Sequence, residues 1–258
     1  MNTARIIFPA AFLLGMAGSV QAQTSPDPTL QITMPSMEKG STVAPVMDNG
    51  IYAHALLDQA EARIGGGQNA FRWDGQGWIG TDYDKLWLKS EGFALGNGRV
   101  DDGRHELLYD RALSTYVDLE AGVRTDWDSG TGRTWAAFGV QGLAPLFFNY
   151  EATGYLSDSG HAALRLAASY DLLITQRLIL QPEAELNFYS KADRGRRVGT
   201  GLSDIDAGLR LRYEISRKFA PYIGVAYAGR FGQTARFARE EGETAGAVQL
   251  VFGIRSWF

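Results

Sequence analysis

The sequence predicts an all-β protein: a transmembrane antiparallel β-barrel of about twelve strands, preceded by a disordered N-terminal tail. Three observations carry this. Apolar and polar residues alternate with period two from residue 51 to the C-terminus. The patterned segments run to roughly 9–14 residues, against a mode of about 5–6 in soluble sheets. Long polar connections alternate with short ones, the asymmetry of a barrel with long outer loops and short inner turns.

Composition agrees and excludes other classes. The chain has 258 residues, of which 45% are hydrophobic and 12% aromatic, too many for a disordered protein. It has no cysteine, which excludes a disulfide scaffold and any thiolate-held metal. A net charge of −4 argues against nucleic acid as a partner. A mean hydropathy of −0.17 argues against a helical membrane bundle, but not against alternating strands, whose two faces average to near zero.

Residues 1–22 read as a signal peptide. Arg5 precedes an apolar core from Ile6 to Met16, too short to span a bilayer, and Val20 and Ala22 supply the small residues of a cleavage site. The expected location is therefore the cell outer membrane, reached by export. Residues 23–50 read as a periplasmic tail. They hold four of the eight prolines and show no strand or helix period. They also hold every methionine left after cleavage: Met34, Met37 and Met47. A thioether is a soft ligand for Cu(I), so these three are candidate metal ligands; chance clustering is the alternative.

Residues 51–258 read as the barrel. Val117, Leu119, Ala121 and Val123 alternate with Asp118, Glu120 and Arg124; Leu178, Leu180, Ala184 and Leu186 alternate with Gln181, Glu183 and Glu185. Counting hairpins gives strands at about 53–64, 69–80, 84–95, 104–112, 115–127, 133–142, 146–156, 161–173, 177–189, 203–215, 219–231 and 245–258. An even number puts both termini in the periplasm. The chain ends on Phe258, in phase with Ile254, Phe252 and Leu250, a terminal signal of the kind the outer-membrane barrel assembly machinery reads. Trp78, Trp87, Trp127, Trp135, Phe147 and Phe148 fall near strand ends and are expected in the interface girdles that face lipid.

If the apolar set faces lipid, the polar set faces the lumen. It holds eleven acids, Glu61, Asp74 and Asp204 among them, and ten bases, Arg63, Arg72 and Arg210 among them. Near balance favours a lumen closed by ion pairs; a charged translocation path is the alternative. Enzyme motifs are missing. His54, His105 and His161 form no close ligand pair, and Gly65-Gly66-Gly67 is a loop tip rather than a phosphate cradle. The chain is read as a non-enzyme, with a barrel hydrolase as the catalytic alternative.

Several blocks resemble one family. They are Gly67–Trp78, Asp84–Gly92, Leu108–Ala112, Asp118–Arg124, residues 144–148, Phe219–Val225 and the Gly253–Phe258 ending. In order and content they resemble the copper-resistance protein B (CopB/PcoB) family over about residues 51–258. The resemblance implies an outer-membrane barrel that binds copper, in either oxidation state, and moves or sequesters it at the outer membrane. A periplasmic copper-binding protein is then an expected partner. The tail departs from the long Met- and His-rich tails of many members, since it has three methionines and no histidine. High-capacity storage there is not expected. His54 opens the first strand at the periplasmic mouth and is the first imidazole candidate, with Glu61 and the lumen carboxylates behind it. His105 and His161 would lie near the outer rim. The competing reading is a small porin-like barrel without metal preference.

Overall fold

A computed structural model describes residues 50–67, 69–128 and 132–258. The signal peptide and nearly all of the tail lie outside the described residues. Thirteen strands follow in chain order: β1 (Tyr52–Ile64), β2 (Ala70–Gly80), β3 (Asp84–Leu95), β4 (Val100–Ser114), β5 (Val117–Asp126), β6 (Arg133–Ala144), β7 (Phe148–Ser157), β8 (Ala162–Ser169), β9 (Leu172–Leu173), β10 (Leu178–Tyr189), β11 (Gly201–Tyr213), β12 (Phe219–Arg230) and β13 (Gly246–Trp257). The two pieces β8 and β9 both pair with β10 and make one span, so the barrel has twelve. Every pairing is antiparallel, and β1 pairs with β13 to close the ring. A ring leaves no unpaired edge, which is what a strand in lipid requires.

The wall is inside-out relative to a soluble protein. Leu88, Leu107, Val123, Phe138, Ile223 and Leu250 are exposed on its outer surface, while Glu61, Arg63, Asp110 and Arg210 are buried inside. This is the arrangement the alternating pattern implies. Among the described residues, no helix is long and apolar enough to cross a membrane.

Three features depart from the expected pattern. First, Trp78, Trp87 and Trp135 turn inward instead of joining a lipid girdle. Trp135 is 2% exposed, packs with Leu108, Ala137 and Tyr155, and donates from Nε1 to Asp126 Oδ2 at 2.7 Å. An indole buried in a polar lumen finds both stacking and an acceptor there. Trp127, Phe147 and Phe148 do stay exposed.

Second, the connection after β12 is not all loop: residues Gly232–Glu240 form helix α1, with Thr234, Ala235 and Ala238 buried.

Third, β-bulges interrupt the period. One lies in β1 between Leu57 and Ala60. A second places an extra residue in β4 opposite Glu91–Phe93, and a third lies between β10 and β11 at Ser203. Each lets two successive side chains share a face and reverses the alternation beyond it.

Candidate functional site

The lumen holds the chemistry. Its centre is a lattice of ion pairs that cross from wall to wall. Glu185 on β10 meets Arg104 at 2.9 Å, Arg165 at 3.1 Å and Arg72 at 3.6 Å. Glu91 on β3 meets the same three arginines, at 2.5, 3.5 and 3.8 Å. Toward the end that carries the termini, Lys89 bridges Glu120 and Glu151 at 2.9 and 3.3 Å, and Lys85 bridges Asp110 and Asp118, both at 3.4 Å. Buried charges persist only when paired and hydrogen-bonded, so the lattice is mutually obligate.

Glu61 is the most enclosed member. It accepts from Arg63 Nε at 2.8 Å, Arg210 Nε at 2.9 Å and Tyr222 Oη at 2.9 Å, and is fully buried. Both its oxygens are taken, so Glu61 is a clamp on β1, β11 and β12 and not an open ligand.

The three histidines are dispersed. His54 lies at the end with the termini, between the rings of Trp257 (5.7 Å) and Trp78 (6.2 Å). His161 lies at the loop end, where its Nδ1 is 3.1 Å from Ser159 Oγ and 3.3 Å from Arg133 Nη1. His105 shares the phase of the lipid-facing Leu107 and Tyr109, with its Nδ1 3.1 Å from Ser90 Oγ and its ring edge-on to Trp127. It is therefore on the outer wall, off any route through the lumen. Met34, Met37 and Met47 lie outside the described residues. Among the described residues, no three His, Asp or Glu side chains gather into a metal-holding group.

What sequence reasoning missed comes partly from the bulges, at Asp58 and Asp102, and partly from β4, whose two faces both carry charge. Asp58, Asp101, Asp102, Glu106, Asp110 and Asp126 join the lumen acids, and Arg104, Arg196, Arg197 and Arg230 join the bases. Asp102 sits in the β4 bulge with φ +49°, a left-handed conformation that aspartate tolerates better than most residues. Asp204 follows the bulged Ser203 on β11. The two strands are diametrically opposed, six spans apart in either direction.

Both carboxylates line the same two small cavities, of about 40 and 50 Å³, one in the lumen and one above it under the loops. Neither makes an ion pair among the described residues. Asp204 accepts from Asn187 Nδ2 at 2.8 Å and from the Ser203 hydroxyl, both neutral donors. Asp74 is likewise without a cation partner, and Glu106 accepts from Tyr155 Oη at 2.7 Å. Of these, Asp102 and Asp204 line the cavities, where their carboxyl oxygens suit a hard or borderline cation.

Comparison with known proteins gives the following. A family model described as copper resistance protein B precursor (CopB) matches residues 51–258. The chain is 48% identical over 213 residues to copper resistance protein B of Escherichia coli, covering 83% of this chain and 72% of that protein. It is 46% identical over the same length to the copper resistance protein B homolog of Pseudomonas syringae pv. tomato, with the same coverage. Among solved structures, it resembles the NanC porin with a TM-score of 0.50 and 13% identity, over 80% of this chain and 99% of that one. That likeness speaks to the fold alone.

Proposed function

The chain belongs to the copper resistance protein B family, and from that premise we propose that its barrel binds copper and moves or sequesters it at the outer membrane. The family match along the whole barrel carries the reading. The lumen supports it. A carboxyl group with no ion-pair partner lacks the counter-charge that an entering cation would supply, and Asp102, Asp204 and Asp74 are such groups among the described residues. Carboxylate oxygen suits Cu(II), whereas the thioethers of Met34, Met37 and Met47 suit Cu(I). His54 offers an imidazole at the end with the termini. The role involves no covalent chemistry: copper is cargo. The outward apolar wall meets outer-membrane lipid, the Phe258 ending serves the barrel assembly machinery, and a periplasmic copper-binding protein is the natural partner at the mouth that bears the termini.

The test is growth. A strain lacking this gene should be inhibited at lower copper than its parent, and the wild-type gene should restore tolerance. Asp102→Asn with Asp204→Asn, present in the outer membrane at normal amount, should restore it only in part. Equal copper tolerance with and without the gene would contradict the reading and favour a porin-like barrel.

A further inference from the structure

The loop end of the barrel is spanned by a second set of ion pairs, distinct from the buried lattice below. Asp101 on β4 pairs with Arg197, which precedes β11, and with Arg230 at the end of β12 at 3.6 Å. Arg230 also holds Glu243 at 2.5 Å, and Glu243 meets Arg99 at 3.4 Å and Arg197 at 3.6 Å. Arg99 and Asp101 belong to one side of the mouth, and Arg197, Arg230 and Glu243 to the opposite side. These pairs therefore strap the opening shut across its width. Arg99, Arg197 and Arg230 are partly exposed, so their attractions are weak singly and screened by salt, unlike those of the lattice.

Helix α1 lies within this strap and covers what is beneath. Thr234 Oγ1 is 2.9 Å from Ser203 Oγ and accepts from the Gly199 amide at 2.8 Å. A Cβ on Gly199 would stand 2.6 Å from the Gln233 Cβ, so only glycine lets the 190–200 loop and the helix approach this closely. Gly232, the first residue of the helix, and Gly242, just past its end, are both left-handed, at φ +52° and +79°, with open space around each. Under it lies the cavity lined by Asp102, Asp204 and Ser203.

We propose that residues 231–245 are a hinged lid on the loop-end mouth, with the Asp101–Arg197–Arg230–Glu243–Arg99 ring as its latch. Screening or removing the latch charges swings α1 away and opens the Asp102–Asp204 cavity to the outside. The two glycines absorb the backbone change, and the buried lattice stays intact. The lid does not depend on which cation the lumen takes, so its failure would leave the copper reading untouched.

The chain has no cysteine, which makes one introduced thiol a clean reporter. Ser203 is fully buried beneath the lid, and Asn97 is an exposed control. The full chain would be purified as Ser203→Cys and, separately, as Asn97→Cys. The rate of labelling by a small charged thiol reagent would be measured at low and high salt. At low salt, Ser203→Cys should label far more slowly than the control. High salt should raise its rate relative to the control about tenfold, the change expected from screening a few exposed ion pairs. Adding Arg197→Gln and Arg230→Gln should do the same at low salt. Ser203→Cys labelling as fast as the control at low salt, or a ratio that salt leaves unchanged, would overturn the lid. The salt arm decides the matter even where the double arginine variant does not assemble.

Discussion

Replacing Glu61 with leucine is expected to destabilise the barrel by roughly 3 kcal/mol, the lower end of what breaking a buried pair costs. The variant leaves Arg63 and Arg210 in place, each fully or almost fully buried. Arg63 keeps Asp206 and Arg210 keeps Glu183 at 3.1 Å, which holds the loss below that of a wholly stranded charge. Glu61→Gln, which still accepts from Arg210 and Tyr222, should lose less. The check is denaturant unfolding of the purified barrel, followed by the mobility difference between folded and boiled protein on a gel. An unfolding midpoint for Glu61→Leu equal to wild type would mean that the lattice is not what stiffens the wall.

The second large effect is on assembly. Leu166 is on the lipid face of β8, level with Ala152 on β7 and Leu186 on β10. Leu166→Arg puts a charge into hydrocarbon, at about 2–4 kcal/mol near the midplane. Ser169 lies in the opposite phase, beside the inward Arg165 two turns of the pleat away, and Ser169→Arg meets a polar, acid-rich interior. Leu166→Arg should be depleted from the outer membrane, and Ser169→Arg should accumulate normally. Equal depletion of both would mean that the two faces are wrongly assigned.

Much of the fold was legible because a barrel wall writes itself as alternation. Leu119 and Val123 against Glu120 and Arg124 already separate lipid from lumen, and the hairpin count already gives twelve spans. The site was legible only in outline. A bulge adds one residue and reverses phase without any compositional mark, so Asp58, Asp102 and the inward turn of Ser203 beside the legible Asp204 could not be seen in a period-two reading. Position near a strand end, where indole is common, assigns Trp78, Trp87 and Trp135 to the lipid girdle. Their inward turn depends on partners such as Asp126 and the Lys85 and Lys89 ammoniums over the Trp78 and Trp87 rings. Helix α1 was hidden because its nine residues are largely polar and lie within a run that reads as loop. Glu61 was legible as a lumen acid, but its enclosure by Arg63, Arg210 and Tyr222 is a three-strand contact that sequence spacing does not encode.

Copper titration of the purified, folded protein tests the central claim most directly. Cu(I) and Cu(II) would each be presented in competition with a chromophoric chelator. The samples would be wild type, the Met34→Leu, Met37→Leu, Met47→Leu triple variant, and the Asp102→Asn, Asp204→Asn double variant. A copper-handling barrel should withdraw metal from the chelator. The methionine variant should lose Cu(I) binding with assembly unchanged, and the aspartate variant should lose Cu(II) binding. Wild-type protein that withdraws no copper in either oxidation state would contradict the claim.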